Sequence, residues 1–390
     1  MKVSQRAQAI TPFLAMEFGK HAAALEAAGH RVIRLNLGEP DFGAPPAVRA
    51  ELQRVAAQAA MPYTGALGLP ALREAIAGFY AQVHAVPLQP EQVVVTAGAS
   101  AALLLLTAAL VDPGDEVLVG DPSYPCNRRF LSGFGAEVRL VPTDAASRFQ
   151  LTLASVQRHW SARTRGLMIA TPSNPTGTSV PPAELAAIGQ WAQAHEAWRI
   201  VDEIYLNLSD TQADGTPAPT ALAADPEACV INSFSKYFGM TGWRLGWAVV
   251  PPALVPAMER LAQNYYICAP TPAQLAALAC FTPESLAECE ARKREFLARR
   301  ALVLQGLQRI GLPVPVPPDG AFYVYIDVGA TGMDAMAFCQ RALNEAHVAL
   351  TPGHDFGAHT AGRFARLSYA ASREDLGEGL SRLGRWLGTA

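Results

Sequence analysis

The feature that most limits what this chain can fold into is a series of short apolar runs, each closed by turn-forming residues. Residues 92–96 end at Ala97-Gly98, residues 116–119 at Gly120-Asp121-Pro122, and residues 166–170 at Thr171-Pro172. Residues 198–201 end at Asp202-Glu203, Val230-Ile231 at Asn232-Ser233, and residues 245–250 at Pro251-Pro252. Runs this apolar suit strands covered on both faces, as in a mainly parallel sheet. Helical stretches lie between several of them. Residues 100–110 follow the first run, and residues 182–194 carry Leu185, Ile188 and Trp191 at helical spacing, with Glu184 in the first turn. The alternation predicts an α/β fold whose central, mainly parallel sheet is flanked by helices. Ligands of such sheets bind at the carboxyl ends of the strands, which is where Gly98, Asn174, Asp202 and Lys236 fall.

The pattern changes near Pro283. Residues 284–307 are rich in Glu, Arg, Ala and Leu and read as one long amphipathic helix. The proline-spaced segment 312–318 reads as extended chain. Residues 322–327 read as a strand, 333–346 as a helix and 364–369 as a strand, a smaller α+β unit. The Pro- and Gly-rich stretch 209–219 reads as a surface loop.

Bulk properties exclude several functions. A formal net charge of -3 offers no basic field for nucleic acid or an anionic membrane surface. The six cysteines are scattered without a C-x-x-C pair, so no metal site is expected and a reducing compartment is. The apolar run 101–111 is too short to span a bilayer, and the first residues lead into no signal-like apolar core. The expectation is a soluble cytoplasmic protein.

The polar residues at the strand ends carry chemistry. Lys236 closes Asn232-Ser233-Phe234-Ser235-Lys236 and precedes the glycine-rich Gly239-Met240-Thr241-Gly242-Trp243-Arg244. A lysine amine is the group that forms a Schiff base with an aldehyde cofactor. Asp202, at the end of a buried run, is either a cap or the acid that pairs with a protonated ring nitrogen, as pyridoxal phosphate requires. Tyr205 follows three residues later and offers a phenol. The heptapeptide Thr171-Pro172-Ser173-Asn174-Pro175-Thr176-Gly177 presents the Asn174 amide from a rigid turn. Gly98-Ala99-Ser100 joins a strand to a helix start, whose free N–H groups favour phosphate. Ser233, Ser235 and Arg244 complete a phosphate cup, with Arg244 as the charge-assisted ligand. Tyr124 offers an aromatic face to a planar ring.

In this order the motifs resemble the fold-type I pyridoxal-phosphate enzymes of the class I/II aminotransferase family, in its prokaryotic aspartate-aminotransferase-like branch. The resemblance spans nearly the whole chain, from Leu37-Gly38-Glu39-Pro40-Asp41-Phe42 through Tyr63-Thr64-Gly65 and Asp202-Glu203-Ile204-Tyr205 to Gly320-Ala321-Phe322-Tyr323 and Arg366-Leu367-Ser368. It implies that Lys236 is the Schiff-base lysine and proton shuttle and that Asp202 pairs with the pyridine nitrogen. Asn174 and Tyr205 would bond the ring oxygen, and Tyr124 would stack on the ring. Gly98, Ala99, Ser100, Ser233, Ser235 and Arg244 would hold the phosphate. Arg366 would clamp the substrate α-carboxylate, with Gly38 and Asn174 nearby. Tyr63 would reach the phosphate of a second subunit, which implies a homodimer with shared sites. The implied activity is ping-pong transfer of an amino group from an L-amino acid to a 2-oxo acid, within amino-acid metabolism and biosynthesis. The implied domains are 1–45 as an N-terminal arm and part of a small domain, 46–285 as the large cofactor domain, and 286–390 as the C-terminal small domain.

Two other activities share parts of this pattern. A β-eliminating C–S lyase of the same fold uses the same Asp, Lys and Arg set. A ligand-sensing domain of a transcription regulator needs a DNA-binding domain, for which the match starting near Gly38 leaves no room. On specificity, some aspartate-directed members place a lysine where Ser100 stands here. Arg128 and Arg129 are the alternative candidates for a distal-carboxylate clamp, although such a basic pair is more often simply solvated, and Phe13, Leu14 and Met16 are an apolar lid or an arm on the partner. A broad or neutral amino donor is expected.

Overall fold

The computed structural model describes residues 1–58 and 60–389. Among them, seven strands form the central sheet. Its spatial order is Val93–Thr96, Gly246–Val249, Cys229–Ser233, Trp198–Asp202, Thr164–Ala170, Glu116–Asp121 and Glu137–Pro142. Six run the same way; Gly246–Val249 is antiparallel to both of its neighbours. The α/β class and the mainly parallel sheet expected from the apolar runs are therefore present. Val94, Val117, Leu167, Ile200 and Val230 are fully buried, because helices cover both faces of the sheet. The helix Pro182–Ala194 has the expected bounds, and the one expected from residue 100 runs Ala99–Leu110.

The edge strand Glu137–Pro142 is not among the apolar runs. It pairs on one side only, with Glu116–Asp121, and its residues are largely half-exposed. An edge strand tolerates the charges of Glu137 and Arg139 and the missing N–H of Pro142, so its sequence lacks the signature of its neighbours.

The long helix spans Pro283–Arg309, 27 residues, and Thr282 caps it by accepting the Ser285 N–H. Beyond it, Tyr323–Asp327 pairs antiparallel with Phe364–Ser368, which pairs with Thr351–Pro352. Ile33–Arg34 pairs in parallel with Val348–Ala349, so the two ends of the chain meet. This pairing could not be read locally, since each strand is only two residues long.

The parallel strands bring Thr96, Asp121, Ala170, Asp202 and Ser233 to one edge of the sheet, and Asp202 lies beside both Ala170 and Ile231. The Tyr323 and Arg366 strands face that edge. No described helix is long and apolar enough to cross a membrane, and the described residues contain no His/Cys/Asp/Glu cluster suited to a metal ion.

Candidate active site

A cavity of about 230 Å³ opens where the strand ends meet the Tyr323 and Arg366 strands. Lys236 reaches into it just past Cys229–Ser233, and its Nζ donates to the Gly38 carbonyl at 2.6 Å. The amine also lies 5.8 Å from the ring centres of Tyr205 and Phe322. Burial is the main cause that brings its pKa down to about 8; the positive charges of Arg366 and Arg244 add to the effect, while Glu39 and Asp202 oppose it. An amine so poised is close to half neutral near pH 8. It can attack a carbonyl or carry a proton.

Asp202 lines the same cavity. Burial pushes its carboxyl up to about 6, against the Ile204 N–H, which donates to Oδ1 at 3.1 Å, and the nearby Lys236 charge. A buried carboxylate that gains a cationic partner recovers the lost solvation, so this position favours a protonated ring nitrogen. The adjacent Glu203 does different work. It accepts the Thr220 hydroxyl at 2.7 Å and the Ala221 N–H at 2.5 Å, tying the segment after the 209–219 loop to the sheet.

An anion cup lies at the start of Ala99–Leu110. Gly98 caps this helix with φ 86°, and a side chain there would run into the Arg244 guanidinium, so only glycine lets the two approach. Arg244 itself is anchored by its donation to the Thr241 carbonyl at 3.0 Å. The Ser235 N–H donates to Ser233 Oγ at 3.0 Å, and the two hydroxyls lie 2.9 Å apart. Ala99, Ser100, Ser233, Ser235 and Arg244 all line the cavity. The helix start, two hydroxyls and one guanidinium together form a site for a phosphate dianion.

On the opposite wall Arg366 is 1% exposed. It donates to Asn174 Oδ1 at 2.8 Å, to the Asn36 carbonyl at 2.6 Å and to Thr351 Oγ1 at 3.3 Å. Its guanidinium lies over the Tyr323 and Phe356 rings, at 4.6 and 4.9 Å. Among the described residues it has no carboxylate partner within salt-bridge distance, and its Nε is buried without a hydrogen bond. A buried, aromatic-stacked guanidinium without a counter-ion is suited to a carboxylate brought by a ligand.

Tyr205 is buried and its hydroxyl lies 2.8 Å from that of Tyr323. Burial pushes the phenols of Tyr205 and Tyr124 well above their usual range, so both keep their protons at neutral pH. Sequence reasoning placed Tyr323 in a motif but gave it no role. The signal was its position as the first residue of a strand that begins at the cavity. A side chain on Gly38 would strike the Tyr323 hydroxyl, so the loop needs glycine there to close over the site. The Asn36 carbonyl left no signal, because a backbone acceptor is the same in every residue.

Thus Lys236, Asp202, Tyr205, Asn174, Tyr124, Arg366, Gly38 and most of the cup come together in one cavity. Tyr63 does not join them; it is 77% exposed on the surface of its own chain. Arg128 and Arg129 do not line the cavity. Arg128 is committed to the Asp355 and Phe356 carbonyls, at 2.9 and 3.2 Å, and Arg129 to Thr11 Oγ1 at 2.9 Å. Phe13 and Met16 do line it, and Leu14 lies between them at the start of the helix Leu14–Ala27.

Comparison with known proteins gives the following. Residues 30–383 match the family described as Aminotransferase class I and II. The chain is 41% identical to the valine–pyruvate aminotransferase of Mycobacterium tuberculosis, over 97% of each chain. It is 36% identical to the aspartate/prephenate aminotransferase of Thermus thermophilus, over 100% of this chain and 99% of the other. It superposes on the crystal structure of an aminotransferase from Mycobacterium tuberculosis with a TM-score of 0.95 at 40% identity, covering 100% of both.

Proposed function

The chain belongs to the class I and II aminotransferases, pyridoxal-phosphate-dependent transferases of nitrogenous groups, and from that premise we propose that Lys236, Asp202 and Arg366 divide the work of amino transfer. The relatives named above are aminotransferases, which does not favour the C–S lyase reading.

The residues fit the cofactor. The cup at Gly98, Ala99, Ser100, Ser233, Ser235 and Arg244 suits its phosphate, and Asp202 stands ready for a cation in the floor of the same cavity. Asn174 and Tyr205 would hold the ring oxygen, and Tyr124 would cover the ring face. When bound, pyridoxal phosphate supplies an aldehyde for the amino group and a protonated ring that draws electrons from the substrate α-carbon.

The protein's own residues do the rest. Arg366 holds the donor α-carboxylate through a charge-assisted pair, with Asn174 fixing the plane of the guanidinium. This orients the α-hydrogen towards Lys236. The Lys236 Nζ takes that proton and would deliver it to a different atom, the carbon that carried the aldehyde, which its depressed pKa permits near neutral pH. Asp202 would keep the ring nitrogen protonated. Tyr205, whose hydroxyl is held by that of Tyr323, would bond the ring oxygen.

The observation that carries this reading is the Lys236 amine, 2.6 Å from the Gly38 carbonyl, in one cavity with the Asp202 carboxyl and the Arg366 guanidinium. Initial rates at several donor and 2-oxo-acid concentrations test it. Parallel double-reciprocal lines are expected for ping-pong transfer. Release of an oxo acid and ammonia without an acceptor would instead restore the lyase.

The exposure of Tyr63 supports a homodimer in which it reaches the partner's phosphate cup. The pairing of Ile33–Arg34 with Val348–Ala349 supports a small domain made from residues 1–45 and 286–390, beside a large domain of 46–285. The six free cysteines support the cytoplasm as its compartment.

A further inference from the structure

Tyr323 touches two working groups at once. Arg366 stands opposite Tyr325 in the small antiparallel sheet, and Tyr323 is two residues along from Tyr325, so Arg366 and Tyr323 are diagonal neighbours on one face. The guanidinium accordingly lies over the Tyr323 ring, 4.6 Å from its centre. At the far end of that ring the hydroxyl meets Tyr205 Oη at 2.8 Å, its one hydrogen-bond partner among the described residues. Gly38 closes another side, where any side chain would strike the same hydroxyl. Because Tyr205, Tyr323 and Arg366 are all buried, each hydroxyl proton has few places to go.

The two phenols hold two protons, and only one of them lies between the oxygens. Were Tyr205 the donor, its proton would be spent on Tyr323 and its oxygen could only accept. With Tyr323 as donor, the Tyr205 proton is free for a ligand in the cavity. The stronger acid is the better donor, and a cation over the ring makes Tyr323 that acid. Burial raises the pKa of both phenols, but the Arg366 charge and the bond to Tyr205 restrain Tyr323, whereas Tyr205 is pushed well above its usual range. The resulting direction suits the cofactor: an ionised ring oxygen only accepts, so its ligand has to donate.

We propose that Tyr323 is a positioning residue that donates its proton to Tyr205 Oη and so leaves Tyr205 a donor for the oxygen on the cofactor ring. The proposal rests on the reading of Tyr205 as the ring-oxygen ligand and adds the residue that orients its proton.

Dissociation constants of two probes for the cofactor-free protein test it. One is pyridoxal phosphate; the other is 3-deoxypyridoxal phosphate, which lacks the ring oxygen. The quantity read is the preference, the ratio of the two constants. Tyr205→Phe is expected to cut the preference about tenfold. Tyr323→Phe is expected to cut it about fivefold, to leave the 3-deoxy constant unchanged, and to add nothing in the double variant. An unchanged preference in Tyr323→Phe would overturn the proposal. So would an equal loss for both probes, the mark of a merely structural residue. A larger preference would overturn it too, because the bond would then run the other way and removing Tyr323 would release the Tyr205 proton. If Tyr205→Phe keeps the full preference, Tyr205 is not the ring-oxygen ligand, and the proposal falls together with that reading.

Discussion

Asp202, Ser233 and Lys236 leave neighbouring strand ends within one short stretch of chain, whereas Phe13, Leu37 and Arg366 reach the same cavity from opposite ends of it. On the floor, register does the positioning. Asp202 lies beside Ile231, and Lys236 follows the Ile231 strand directly. At the mouth, single contacts do it; the Leu14 N–H and the Asp355 carboxylate that anchor the wall are 341 residues apart in sequence. A floor held by a buried sheet fixes the reaction, because its groups cannot shift without breaking ladder hydrogen bonds. A wall held by a few contacts adjusts to the substrate. Loss of a floor group should therefore be close to all-or-none, and loss of a wall group graded.

The strongest test of that contrast is Lys236→Ala. It should cut turnover by about 10⁴-fold and remove the lysine-dependent visible band. Retained turnover would show that the floor is not where the proton moves. Asp202→Asn should follow, with turnover reduced by roughly 100-fold, because an amide cannot keep the ring nitrogen protonated.

The same contrast explains what could be read from the sequence. The floor lies in contiguous segments where an apolar run ends in a polar motif, so Gly98, Asn174, Asp202 and Lys236 were legible as one edge. The wall was legible only in part. Phe13, Leu14 and Met16 were legible as either a lid or an arm on the partner, but nothing local identified Asp355 as the anchor of that segment. Arg128 looked like a spare cation because the carbonyls that absorb its charge lie more than 200 residues away in sequence. The Tyr205–Tyr323 pair was invisible for the same reason.

Arg366 links the two regions and sharpens the comparison. Arg366→Ala should lower kcat/KM for the donor by roughly 30-fold, mostly through KM, and leave the cofactor bound. Steady-state kinetics beside a cofactor titration would separate the two effects. Cofactor loss instead would place Arg366 with the floor.

The floor also predicts a pH response. The Lys236 amine, lowered to about 8 by burial, is protonated below that value and neutral above it. Capture of pyridoxal phosphate by the cofactor-free protein should thus speed up about tenfold between pH 7 and pH 9 and then level off. A rate that kept rising past pH 10 would mean an ordinary, solvated lysine.

The smallest effect belongs to the wall. Asp355→Ala removes the cap of the Leu14–Ala27 helix and should lower stability by about 1 kcal/mol in denaturant unfolding. The same change should leave Lys236 chemistry intact. Unchanged stability would detach Asp355 from the wall.

The visible absorption spectrum of the purified, cofactor-loaded protein tests the central claim most directly. An L-amino acid donor should bleach the visible band, and a 2-oxo acid added afterwards should restore it, because one pocket gives up and regains the same amino group. A band that no amino acid bleaches, or one that bleaches and does not return with any 2-oxo acid, would contradict the assignment of this cavity to amino transfer.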